Sequence, residues 1–268
     1  MSTLYISDLD GTLLLDNETL SEYTCNTINK LVNNGLNFSF ATARSGITAK
    51  KVTSNLKCPI PMIVYNGTMI VDSSTNKILI SNFFENHQVA DIKRTLESFK
   101  IYPIVYSMQN GVEKFSYVPN LVSDGAKTFL DTRKGDVREN PIGEDYLYSG
   151  DVFYFTCIDT SNKLQLVHSL LKDSYNCIYQ KDYYSKNQWL EILPKDVNKS
   201  NAVLQLKRLL NCDRVVCFGD GINDLQMFKI SNECYAVENA IAELKSVATG
   251  VIESNQNDGV AKWLELNT

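Results

Sequence analysis

Near each end of the chain a short apolar run stops abruptly on acidic residues. "YISDLDGTLL" (Tyr5–Leu14) ends its run on Asp8 and Asp10. "VVCFGDGIND" (Val215–Asp224) ends its run on Asp220, Asn223 and Asp224. Brief apolar runs bounded by turn residues read as strands buried on both faces, the kind a parallel sheet requires. In open parallel sheets, ligands bind beyond the carboxyl ends of the strands. Two further runs end in the same way. Asn37–Ala41 leads into Thr42 and Arg44, and "PMIVYNG" leads into Asn66 and Gly67. If these strands are neighbours, all of these groups meet in one crevice.

The intervening pattern supports a parallel α/β core. Tyr23, Ile28, Leu31 and Val32 recur at helical spacing before Gly35 stops the helix, and a second helix is expected around Ile47–Leu56. Thr68–Val71 and Lys77–Ile80 flank "DSSTN" as a hairpin. From Asn82 to Asn187 aromatic residues are frequent, and strands around 104–118 and 151–158 lie beside helical stretches at 89–99 and 162–171. This middle segment reads as an inserted α+β module, with 125–150 expected as helix plus loop. The last third returns to strand–helix alternation, beginning with a strand at Trp189–Leu193. The expected division is therefore a core of 1–81 and 188–268 with an insert of 82–187.

Composition removes several classes of function. The formal charge is −5, from 26 basic and 31 acidic residues, and no long basic run offers a nucleic-acid surface. No apolar span approaches the ~20 residues that cross a bilayer, and the amino terminus lacks a signal-peptide core. Seven scattered cysteines, with no Cys-x-x-Cys pair, suit reduced thiols and a cytoplasmic location. His87 and His168 are the only histidines, which leaves a zinc site short of ligands.

Several carboxylates in one crevice repel each other unless a cation joins them. A hard ion such as Mg²⁺ takes oxygen ligands, and it would hold a carboxylate ionised and fit to attack a phosphorus atom. On that reading one acid of the opening pair attacks and the other handles a proton. Each element also has a plainer reading. Asp-x-Asp-Gly can be a turn after a strand. Thr42 can cap the next helix. Lys199, in "PKDVNKSNAV", can be a solvated lysine, and Gly-Asp-Gly-x-Asn-Asp can be a turn with a cap. The order and spacing of all four together favour the chemical reading.

Those four motifs resemble the haloacid dehalogenase superfamily of phosphotransferases, and within it the Cof-type hydrolases. "DLDGTLL" is similar to the first motif, "SFATAR" to the second, Lys199 stands as the third, and "FGDGINDLQMF" is similar to the fourth. "AVENAIAELKSVA" and "SNQNDGVAKWLE" are similar to the Cof-type tail. The resemblance implies a Rossmann-like parallel-sheet core with an inserted α+β cap that closes over the site. It implies Asp8 as nucleophile, forming an aspartyl-phosphate, with Asp10 as acid and then base. It implies Mg²⁺ held by Asp8, the Asp10 backbone carbonyl, Asp220 and Asp224. Thr42, Arg44, Lys199 and Asn223 would contact phosphate, Lys199 would also offset the charge on Asp8, and Asn66 and Gly67, bordering the same pocket, would bind phosphate as well. Ala43 stands where the second motif often has glycine.

The implied activity is a Mg²⁺-dependent phosphatase for small phosphorylated metabolites, with no nucleic-acid, membrane or protein partner. A phosphomutase on the same fold and a non-catalytic phosphometabolite sensor are the alternatives. The inserted module would choose the leaving group, through candidates Tyr154, Tyr183, Tyr184, Lys186 and Gln188, although aromatic strand residues are more often simply the material of a core.

Overall fold

Strands from both ends of the chain build one parallel sheet. The computed structural model describes residues 2–57, 59–182 and 187–268. These fall into two compact units, Met1–Ser81 with Val197–Thr268, and Asn82–Asp196. The first unit begins with β1 (Thr3–Ser7), α1 (Glu22–Asn33), β2 (Asn37–Phe40), α2 (Gly46–Val52), β3 (Met62–Val64), β4 (Met69–Val71) and β5 (Ile78–Ser81). The second unit contributes α3 (Asn86–Ser98), β6 (Ile104–Gln109), β7 (Val112–Tyr117), α4 (Asp124–Asp131), β8 (Glu139–Pro141), β9 (Asp151–Ile158), α5 (Ser161–Leu171), β10 (Asn176–Lys181) and β11 (Gln188–Leu193). The first unit resumes with α6 (Lys199–Leu209), β12 (Arg214–Gly219), α7 (Leu225–Ile230), β13 (Glu233–Val237), α8 (Ala242–Val247), β14 (Gly250–Ile252) and α9 (Gly259–Asn267).

The central sheet runs β14-β13-β12-β1-β2, every pairing parallel. Its middle strands, β1 and β12, are mostly apolar because most of their side chains are shielded from water on both faces. Leu4, Ile6, Val215, Val216, Cys217 and Phe218 are all buried. A parallel bridge from Ala41 to Ile63 extends the order to β3, which then pairs antiparallel with β4, and β4 with β5. Trp263 of α9 packs among Tyr5, Phe218 and Tyr235, and so seats the last helix on this sheet. Ser21 caps α1 by accepting from the Thr24 amide, and the Ser21 and Thr24 hydroxyls both donate to Asp258 just before α9.

The second unit is a mixed sheet, β10-β11-β9-β6-β7-β8, antiparallel except for the β7–β8 pair. Its core joins Val105, Phe155, Cys157, Leu190 and Ile192 of the sheet to Ile92 and Leu96 of α3 and to Leu164, Val167 and Leu171 of α5. The strand around Trp189–Leu193 belongs here. It pairs with β9 and β10, so this unit runs on to Asp196 instead of stopping at 187. Its apolar residues match the buried side of either sheet, and only the hydrogen-bonded partners distinguish them. The stretch 125–150 holds a strand, β8, as well as α4 and a short 3₁₀ turn at Glu144–Tyr146. Among the described residues no helix is long and apolar enough to cross a membrane, and the six cysteines among them are free thiols.

Candidate active site

Asp8 is the first residue beyond β1. Its amide donates to the Phe218 carbonyl at 3.0 Å, so the β1–β12 register continues one step and sets Asp8 beside the end of β12. Asp220 follows that strand directly. Asp224 returns on the turn that starts α7. Ligand atoms of Asp8, Asp220 and Asp224 all lie within 4.8 Å of one another. The β1–β12 pairing thus brings acidic residues distant in sequence together.

Lys199 enters this cluster from the first turn of α6. Its Nζ donates to Asp8 Oδ1 at 2.6 Å and to Asp224 Oδ1 at 2.8 Å, and only 1% of the residue is exposed. Asn198 caps the helix by accepting from the Asn201 amide, which fixes where Lys199 leaves the backbone. Lys199 is therefore not a solvated lysine. The Asp224 carboxylate is fully buried and heavily used. Its Oδ2 accepts from the amides of Asp220 and Gly221, each at 3.0 Å, while Oδ1 takes Lys199. Asp224 thus shapes the 219–221 turn and holds Lys199. A β-carbon on Gly219 would stand 2.7 Å from Asp224 Oδ2, so this turn requires glycine there.

Thr42 is fully buried at the end of β2. Its hydroxyl accepts from the Arg44 amide at 3.1 Å, and the cap of α2 is Ser45 instead. The plainer reading of Thr42 as a helix cap thus gives way to a place beside the cluster's loops. Asn66 and Gly67 form a left-handed turn after β3, with φ of +53° and +99°. The Asn66 amide donates to the Thr42 carbonyl, and its Oδ1 accepts from Asn223 Nδ2 at 3.0 Å. A β-carbon on Gly67 would lie 2.2 Å from the Asn198 carbonyl oxygen, so the turn sits hard against the start of α6. Arg44 is committed to carboxylates. Its Nε and Nη2 hold both oxygens of Asp10, and Nη2 also reaches Glu18 at 2.8 Å.

Two contributors escaped the sequence reading. Thr12 donates its hydroxyl to Asp220 Oδ1 at 2.8 Å. It lies inside the "DLDGTLL" motif, and that position was the available signal. Glu18 carried none, since it sits among ordinary polar loop residues. Of the candidates in the second unit, Tyr154 donates to Glu191 at 2.6 Å in a buried pair, and Gln188 donates to the Gln180 carbonyl across β10–β11. Tyr183, Tyr184 and Lys186 lie outside the described residues. His87 pairs with Glu85 on the surface and His168 stacks on Tyr179.

The charges in the cluster do not balance. Three carboxylates face one ammonium, a formal −2, in a buried space. Burial, together with the neighbouring charges of Asp224 and Asp10, pushes Asp8 up to about 7 despite the opposing pull of Lys199. Burial and the charges of Asp8 and Asp224 push Asp220 well up also. Burial alone would lower Lys199, but Asp224 and Asp8 outweigh it and raise it. A hard divalent cation fits this donor set in charge and in chemistry, because every donor is an oxygen.

The sequence pattern of the haloacid dehalogenase-like hydrolase family matches residues 5–264. The chain belongs to this family. Its sequence is similar to that of a Buchnera aphidicola subsp. Schizaphis graminum protein, 30% identical over 280 residues that span 100% of this chain and 96% of the other. It is also similar to 5-amino-6-(5-phospho-D-ribitylamino)uracil phosphatase YitU of Bacillus subtilis, 25% identical over 96% of this chain and 94% of that protein. The fold is that of a solved haloacid dehalogenase-like hydrolase from Bacteroides thetaiotaomicron, with a TM-score of 0.81 at 21% identity, covering both chains fully. In this haloacid dehalogenase-like hydrolase, then, a parallel core sheet and an inserted mixed sheet are the family's architecture, and the acidic cluster stands at the core's strand ends.

Proposed function

We propose that this hydrolase is a Mg²⁺-dependent phosphatase for small phosphorylated metabolites, sugar phosphates or phosphorylated cofactors, working through an aspartyl-phosphate on Asp8. The convergence of Asp8, Asp220 and Asp224 within 4.8 Å, with Lys199 bonded to two of them, carries this reading. The relative named for a ribityl-phosphate substrate supports the metabolite class.

In this scheme an Asp8 oxygen attacks phosphorus while the bond from phosphorus to the leaving oxygen breaks. The electron pair stays with that oxygen, and the Asp10 carboxyl protonates it. Water then attacks phosphorus, Asp10 takes its proton, and the bond to Asp8 breaks to release inorganic phosphate. Lys199 keeps Asp8 in place and offsets its charge as the dianion approaches. The Thr42 hydroxyl and the Asn223 amide, the latter oriented by Asn66, hold phosphate oxygens. Asp8, the Asp10 carbonyl and Asp220 would hold Mg²⁺, with Asp224 supporting from behind. When bound, the ion supplies the positive charge that lets a carboxylate and a phosphate share one site.

The test is turnover of p-nitrophenyl phosphate with Mg²⁺ and with EDTA. Turnover that needs the metal and disappears in Asp8→Asn supports the reading. Equal turnover in Asp8→Asn rules it out.

A further inference from the structure

We propose that Arg44 and Glu18 are positioning residues that act through Asp10, aligning its carboxyl group for proton transfer, and that Arg44 is not a phosphate ligand. This rests on the phosphatase reading above.

The geometry is a fork. Arg44 Nε donates to Asp10 Oδ2 at 2.8 Å and to Oδ1 at 3.1 Å, and Nη2 donates to Oδ1 at 2.5 Å. An aspartate carboxyl group turns readily about its last torsion, and a single contact would leave that freedom. A planar guanidinium gripping both oxygens fixes the carboxylate plane. The grip is itself held at two ends. At the backbone, the Arg44 amide donates to Thr42 Oγ1 and its carbonyl accepts from the Tyr65 amide at 2.9 Å. At the head, Nη2 donates to Glu18 Oε2 at 2.8 Å.

Glu18 reaches Arg44 through an unusual backbone. The Leu15 amide donates to the Thr19 carbonyl, and the Glu18 amide to the Leu15 carbonyl, closing a tight turn with Glu18 at φ +62°. A left-handed φ in a residue other than glycine is uncommon and strained. Here it delivers a carboxylate to the guanidinium. The Glu18 side chain is 49% exposed against 13% for Arg44, so the pair closes the outer end of a partly buried chain of charges. Two carboxylates already surround this one cation. A phosphate dianion would have to displace them, whereas, among the described residues, the Thr42 hydroxyl and the Asn223 amide carry no carboxylate partner of this kind.

The test compares two esters of different leaving-group demand, p-nitrophenyl phosphate and glycerol 2-phosphate. Arg44→Met is expected to lower kcat on the glycerol ester by about 10–100-fold and on the aryl ester by under ~3-fold, with KM little changed. Glu18→Gln should show the same selectivity at about 3–10-fold, and Arg44→Lys should retain part of the activity. Adding Arg44→Met to Asp10→Asn should cost nothing further. Glu18→Gln alters an exposed side chain, so it carries the test if Arg44→Met does not fold. Equal losses on both esters, with raised KM and weakened inhibition by inorganic phosphate, would make Arg44 a phosphate ligand and overturn the proposal alone. A wild-type enzyme inert toward both esters would overturn the phosphatase reading and this proposal with it.

Discussion

Lys199 Nζ donates to Asp8 Oδ1 at 2.6 Å across 191 positions of sequence. The contact joins the first strand of the chain to a helix that begins only after the inserted unit. It exists because β1 pairs with β12 and α6 runs into β12. Asp224, bonded to the same ammonium, makes the lysine the hub of a buried charge network.

Removing that hub exposes its worth. Lys199→Met leaves buried carboxylates without their cation, a change that costs about 3–5 kcal/mol. At roughly 2–4 °C per kcal/mol for a protein of this size, the metal-free melting temperature should fall by roughly 6–20 °C. Mg²⁺ should restore part of it. Differential scanning calorimetry with and without Mg²⁺ checks both statements, and an unchanged transition would count against the buried network.

Asp8 sets a pH dependence whose sign follows from its raised position. Unfolded, the carboxyl titrates near 3.8; in the folded, metal-free protein it is pushed up to about 7. Between those values the folded state binds more protons than the unfolded state, so this group's contribution to stability falls as pH rises. Wild type in EDTA should therefore lose stability from pH 4 to pH 7 relative to Asp8→Asn, which lacks the titration. Mg²⁺ binding releases that proton and should tighten over the same interval. Paired denaturation curves across this range measure the difference, and parallel curves for the two proteins would contradict it.

Gly67 places the 65–67 turn against α6. Alanine there meets a left-handed φ of +99° and a contact of 2.2 Å with the Asn198 carbonyl. Gly67→Ala should cost about 2–4 kcal/mol and should reduce kcat by displacing Lys199. Urea unfolding alongside kinetics tests this. Full stability with full activity would mean that the turn relaxes freely.

The core and its site were legible because chemistry and topology agree at the strand ends. Asp8, Asp220 and Asp224 each follow an apolar run or the turn just beyond it, and parallel sheets collect such ends in one place. Strand membership was less legible. Trp189–Leu193 carries an apolar pattern that fits either sheet, and its bonding to β9 and β10 is non-local information. The pairing of Arg44 with Asp10 and Glu18 was hidden for a related reason, because Glu18 arrives through a left-handed turn that no residue type there announces. Thr42 shows the converse. Its capping propensity is real, yet Ser45 three residues later takes the cap, and the Thr42 hydroxyl accepts from the Arg44 amide instead.

The most direct measurement is chemical trapping of the phosphorylated enzyme. Acid quenching during turnover of a phosphate ester with Mg²⁺, followed by borohydride reduction and peptide mass spectrometry, converts an aspartyl-phosphate to homoserine. The account predicts homoserine at position 8 and nowhere else, with none formed in EDTA. Homoserine at another aspartate, or none from an enzyme caught turning over, would contradict it.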